Sequence, residues 1–133
     1  MLSLAFFAQT AKNIERAFFQ NDARAFHSLL TSHRHLNISL PEPLSFSDHV
    51  STEQAYFLFR KIFAVYSTFE FYTDSESSRP ARADNRILKS RWSFKDNRNN
   101  NQYVFLVFFY LVDETSDPLG GWKIAEIKAQ KLL

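Results

Sequence analysis

Apolar residues recur along this chain with two periods, and the switch between them divides it. Near the start, Phe7, Ala11, Ile14 and Phe18 stand at i, i+4, i+7 and i+11. That spacing predicts a helix over residues 3–19. Gln20-Asn21-Asp22 interrupts it, and Asp22 can N-cap a second helix over residues 23–31 that buries Phe26, Leu29 and Leu30. His33-Arg34-His35 closes this piece with basic groups suited to a helix C-terminus. Residues 36–40, LNISL, alternate as a short half-buried strand that Pro41 and Pro43 end. Ser51 and Gln54 are placed as a capping box. The helix after them puts Ala55, Leu58, Phe59, Ile62, Phe63 and Tyr66 on one face.

From residue 67 the period shortens to two. STFEFYT, residues 67–73, predicts a strand with Phe69 and Phe71 on one side. Residues 74–86 are polar, contain a proline and predict an exposed loop. In residues 87–95, Leu88, Ser90, Trp92 and Phe94 share one face and Lys89, Arg91, Ser93 and Lys95 the other. Residues 96–101, DNRNNN, predict a hairpin turn, because Asn and Asp tolerate left-handed backbone. Residues 103–112 form the next strand, 113–121 a turn, and 122–130 a last strand whose pattern also fits a helix. Helices first and strands after argue for one α+β domain over residues 1–133, its N-terminal helices packed on a curved antiparallel sheet.

The run YVFLVFFYLV, residues 103–112, carries no charge. A sheet with one wet face shows a polar residue at every second position. Here Tyr103, Phe105, Val107, Phe109 and Leu111 line one face, and Val104, Leu106, Phe108, Tyr110 and Val112 the other. Helices can cover the first. A second copy of the sheet covers the second most simply, which predicts a homodimer. The alternative is a sheet that curls and covers both faces within one chain.

Composition adds limits. Of 133 residues, 45% are hydrophobic and 15 are Phe, against two Gly, so an aromatic core or an incompletely filled aromatic cavity is expected. The absence of Cys removes disulfides, thiol catalysis and Cys-based zinc sites. The opening MLSLAFFAQTA has no basic n-region and continues into helical spacing, which favours a first helix over a signal peptide. Compartment stays open between the cytoplasm and export of a chain trimmed after such a peptide. No segment reaches the roughly 18–20 apolar residues of a membrane helix.

With NDARAFHSLL, LNISLP and STEQAYFLFRKIF in this order, followed by long curved strands, the chain resembles the nuclear transport factor 2-like superfamily. That cone-shaped α+β fold is shared with ketosteroid isomerase and scytalone dehydratase, and the likeness is strongest to small bacterial domains of unknown function. The resemblance spans nearly the whole chain and implies a pocket between sheet and helices, and often dimerisation through the sheet. Enzymes, small-molecule binders and interaction modules all use the fold, so it does not fix an activity.

The isomerase-like members use pocket carboxylates and a tyrosine, and this chain departs from them. Residues 103–112 hold no carboxylate, the apolar face of 88–94 offers only Ser90, and Glu70 points away from the side of Phe71. No catalytic residue is therefore assigned. His27, His33, His35 and His49 lack metal-ligand spacing, and Asp48-His49 reads as a surface loop pair before a helix cap. No metal or other cofactor is expected. Between Arg79 and Arg98 lie seven basic residues against Asp84 and Asp96. Arg82, Lys89, Arg91 and Lys95 could form a basic surface, but aromatics do not interleave there as base stacking requires, so nucleic acid is not the expected partner. The leading expectation is a non-enzymatic binding domain. Phe59, Phe63, Trp92, Phe94 and Tyr110 would line an aromatic pocket for a small apolar or amphipathic ligand. The alternatives are an isomerase- or dehydratase-type enzyme using the same cone, and a protein- or nucleic-acid-interaction module using Arg79 to Arg98.

Overall fold

The two-periodic segments pair into one sheet, and the helices lie across its inner face. The structure is a computed structural model that describes residues 2–74, 80–82, 85–114 and 121–132, with side chains from residue 7 onward except at 80–82 and 85. The elements are α1 (Leu2–Phe19), α2 (Ala23–His27), β1 (Leu36–Leu40), β2 (Phe46–Val50), α3 (Thr52–Val65), β3 (Tyr66–Asp74), β4 (Pro80–Arg82), β5 (Asn85–Asp96), β6 (Gln102–Asp113) and β7 (Trp122–Lys131). The sheet runs β2-β1-β7-β6-β5-β3, with β4 paired to β5. It is antiparallel as the meander requires, except where β1 lies parallel to β7. It does not close into a barrel.

Local signals set the helices. Asp22 accepts from Ala25 N at 3.0 Å, and the Ser51–Gln54 capping box forms in both directions at 3.1 and 2.8 Å. The second helix is shorter than its sequence suggests and stops at His27. Beyond it the backbone is taken by β7: Ile124 N donates to Leu29 O and Thr31 N to Ile124 O. This pairing outweighs the weak helical preference of residues 28–31.

Three further expectations are corrected. Ser47, Asp48 and His49 belong to the edge strand β2 rather than to a loop, held by antiparallel pairing to β1. Phe69 does not share a side with Phe71, because a bulge between Thr68 and Glu70 makes it the extra residue. It is 48% exposed while Phe71 is buried. The stretch 74–86 is not wholly a loop, since Pro80–Arg82 pairs with Asn85 and Arg86; residues 75–79 and 83–84 lie outside the described residues. Most of the turn expected over 113–121 lies outside them too, although Glu114 N donates to Gly121 O.

Asn21 locks α1 to the far side of the layer. It sits at φ 50° and donates from Nδ2 to Phe63 O at 3.2 Å and Tyr66 O at 2.9 Å, while its Oδ1 accepts from Thr68 N at 3.3 Å. The residue that ends α1 thus caps the end of α3 and the start of β3. Further along the same edge, Thr73 N and Oγ1 both donate to Glu15 Oε2 of α1. Replacing Asn21 by Ala removes these bonds and strains the backbone, so unfolding free energy falls by about 2–4 kcal/mol. Asn21→Gly, which relieves φ, costs about half as much. Denaturant unfolding of both variants measures the difference.

Candidate functional site

The helix-facing side of the sheet is an aromatic interior. Phe18 of α1 meets Phe26, Phe59, Phe63, Trp92 and Phe109 edge-on, with centroids 5.0–6.1 Å away, and stacks on Phe71 at 4.4 Å. Phe59 and Phe63 adjoin each other at 5.7 Å, and Trp92 lies 4.2 Å from Phe94. Trp92 also satisfies its indole by donating to Thr68 Oγ1 at 2.9 Å. The structure thus brings Phe59, Phe63, Trp92 and Phe94 into one buried cluster. Tyr110 does not join them. It pairs with Ile87 and Glu126 on the outer face, between the inward Phe109 and Leu111. The period-two count along β6 gives this parity directly.

Within the interior, Ser90 Oγ is buried and makes no hydrogen bond. Its neighbours on that face of β5 are Leu88 and Trp92, which offer it no acceptor. Polar chemistry concentrates at the rims. At the β5–β6 hairpin, Arg98 donates to both carboxylate oxygens of Asp96 at 3.0 and 2.9 Å, and its backbone N donates to Oδ1 at 2.9 Å. These bonds, from the Arg98 side chain foremost and then its backbone, hold the Asp96 carboxyl below the usual carboxylate range. Burial first, and then the Asp96 charge, raises the Tyr66 phenol. Sequence parity could have placed Asp96 on the inner face two residues beyond Phe94, but its arginine clamp depends on the turn. On another rim, Glu114 accepts from the buried Thr31 hydroxyl at 2.6 Å and lies 3.8 Å from His33 Nε2. Among the described residues, no group of His, Asp or Glu has the arrangement of a metal site.

The outer face is built differently. Val104, Leu106, Phe108, Tyr110 and Val112 form a column in which every side chain is only half-buried. Lys89, Arg91 and Lys95 lie beside it on β5, and Lys128 and Glu126 on β7. Arg91 Nε is 3.4 Å from Glu70 Oε1, and Asp74 stands opposite Lys89 in the ladder. The basic residues are therefore interleaved with carboxylates and apolar groups. The side chain of Arg82 lies outside the described residues. A crevice of about 220 Å³ opens beside the column, lined by Tyr72, Lys89, Arg91, Leu106 and Leu132 among others. No helix of the described residues is long and apolar enough to cross a membrane.

A layer of helices over a mostly antiparallel sheet that does not close into a barrel, with an aromatic interior between, defines a cone-shaped α+β protein. Solved structures identify the cone. A ketosteroid isomerase-like protein from Erwinia carotovora atroseptica superposes with TM-score 0.74 at 16% identity, over 98% of this chain and 97% of its own. An NTF2-like protein of unknown function in nutrient uptake from Rhodospirillum rubrum gives 0.69 at 12% identity, over 95% and 98%. An NTF2-like protein of unknown function from Silicibacter pomeroyi gives 0.59 at 11%, over 96% and 93%. The chain has the nuclear transport factor 2-like fold. Comparison with protein-family models gives no match, and comparison with curated protein sequences gives none either.

Two predictions follow from the buried polar groups. A carboxyl whose folded pKa is depressed stabilises above its unfolded pKa, near 4, and loses that contribution as pH falls through the folded value. Acid unfolding of the wild type should therefore include a loss below about pH 4 that Asp96→Asn lacks, and the variant should be less stable at neutral pH. Urea midpoints measured across the acid range read both effects. Replacing Ser90 by Ala removes the unsatisfied hydroxyl, leaving a methyl side chain, and should raise unfolding free energy by about 1 kcal/mol.

Proposed function

We propose that residues 1–133 form a single, non-enzymatic binding domain, a homodimer joined through the outer sheet face. Its ligand is a small apolar or amphipathic molecule held against the aromatic interior between sheet and helices. The observation that carries the reading is the two-sided character of β6. Its inner row packs into the ring cluster, whereas its outer row remains half-exposed although every residue in it is apolar or aromatic. Covering that row with a second copy would return roughly 1–2 kcal/mol for each large side chain, and apolar strips of this kind mark partner surfaces. The ligand part of the reading draws on the density of aromatic rings, which bind apolar surface without demanding one hydrogen-bond pattern.

An isomerase-type reading asks for a free acid or base on the inner face. Asp96, which is buried there, already gives both oxygens to Arg98. A nucleic-acid module asks for an uninterrupted basic face, and here Glu70 stands 3.4 Å from Arg91.

Native mass spectrometry of protein purified without added ligand tests the proposal. The expected species is twice the 15.6 kDa chain mass with a retained small molecule. A bare monomer would overturn it. Leu106→Asp and Phe108→Asp, made at half-exposed outer positions, should give folded monomers by sedimentation, with far-ultraviolet circular dichroism unchanged.

A further inference from the structure

The turn between α1 and α2 and one stripe of α3 enclose a cleft of about 510 Å³, with residues 20–24 on one wall and Tyr56, Arg60, Phe63 and Ala64 on the other. The second wall follows from helical spacing. Its four residues stand at i, i+4, i+7 and i+8, which brings them to one side of α3. Ala23 and Ala64 carry only methyl groups, which leaves room between the walls. The walls are fixed to each other. Phe26 packs on Phe59 at 4.5 Å, His27 meets Tyr56 edge-on at 5.4 Å, and Asn21 Nδ2 donates to Phe63 O at 3.2 Å. Of the lining residues only Phe63 also belongs to the ring cluster, so the cleft is separate from the aromatic interior and from the outer sheet face.

Two cations line this cleft from different elements, Arg24 of α2 and Arg60 of α3, and both are exposed. Among the described residues neither side chain has a hydrogen bond or an ion pair; the ion pairs involve His27, His33, Arg91 and Arg98. The nearby carboxylates are engaged elsewhere. Asp22, which also lines the cleft, accepts from Ala25 N through Oδ1, and Glu53 lies 3.7 Å from His27 Nε2. The Gln20 amide and the Tyr56 hydroxyl add two more donors that no described group uses. A carboxylate has two oxygens, and one guanidinium fork satisfies them. Two forks on opposite walls suit a group with three terminal oxygens and nearly two negative charges, which is a phosphate monoester at neutral pH. The cleft is within the roughly 300–1,000 Å³ of small-molecule sites, and it is larger than a bare oxyanion requires. The Tyr56 ring gives the remainder of such a ligand a flat apolar surface beside the arginines.

We propose that this cleft binds a small phosphate monoester carried on a flat ring, with its phosphoryl oxygens held by Arg24 and Arg60 and its ring against Tyr56. The site is independent of the ligand read for the aromatic interior, and neither depends on the other being occupied.

The test titrates phenyl phosphate, inorganic phosphate and phenol into the full chain by calorimetry. Phenyl phosphate should bind most tightly, inorganic phosphate should bind more weakly and compete with it, and phenol should not bind at the cleft. Arg24→Gln and Arg60→Gln should each weaken phenyl phosphate at least about tenfold, the loss of one charge-assisted fork. Lys61→Gln removes the same charge from the next residue of α3, outside the cleft, and should leave binding unchanged. Asp22→Asn keeps a good N-cap and removes the one negative charge from the lining, so it should tighten binding. Circular dichroism and urea unfolding check that each variant folds. The proposal is overturned if a folded wild type binds no phenyl phosphate, or if Lys61→Gln weakens binding as much as the arginine variants, which marks diffuse attraction. Phenol binding as tightly as phenyl phosphate overturns the phosphoryl assignment, and inorganic phosphate binding as tightly overturns the ring-borne ester.

Discussion

The ring of Phe18 is the contact on which the arrangement of this molecule depends. It touches rings from α2, α3, β3, β5 and β6, while standing one residue before the end of α1. Six elements thus share one fixed point. Edge-on contacts restrict the angle of each ring as well as its distance, so this arrangement holds elements in orientation more tightly than aliphatic packing would. Asn21 completes the constraint three residues later. Its left-handed backbone turns the chain toward α2, while its amide holds the α3–β3 junction. The abundance of Phe and the scarcity of Gly follow from such a core, which is built from large flat surfaces with few close backbone approaches.

That constraint explains why the two faces of β6 differ although their compositions are alike. The inner row is met by rings whose positions are already set. The outer row is met largely by the stems of long polar side chains from neighbouring strands, Lys89, Arg91, Lys123 and Lys128 among them, which shade apolar surface while keeping their charges in water. The protein accordingly has an interior that discriminates by shape and an exterior strip that accepts a flat partner. Arg86, half-buried over the rings of Phe7 and Trp122, brings a charge to the border of the first kind of surface.

Much of this architecture was legible in the chain because its determinants are local. Asp22 and Ser51 announce their helices through backbone groups three residues away, and the parity of Leu88, Ser90, Trp92 and Phe94 fixes which side of β5 is buried. The missing parts have distant causes. Residues 28–31 leave helix because Ile124 takes their backbone, and the polar segment FSDHV becomes strand because β1 offers it a ladder. Phe69 turns outward at a bulge that no composition marks. Of the candidate site residues, the four that cluster lie on faces whose period is unbroken. The inward place of Arg86 escaped because the strand was begun two residues too late, at Ile87 rather than Asn85, although the same parity places it inward.

Two side chains, Glu15 of α1 and Asn21 just after it, reach the outer border of β3. Glu15 holds Thr73 N and Asn21 holds Thr68 N, so the β3 border is sealed at two points by polar groups from its own chain, and the bulge at Phe69 bends it between them. An incoming strand would have to displace both seals before it could bond there. At the opposite border, β2, Asp48 takes the N–H of His49, and among the described residues no helix side chain is seen to bond its backbone. Side-chain capping of the β3 donors thus makes strand addition harder at the β3 border of a sheet that carries so continuous an apolar strand at its centre.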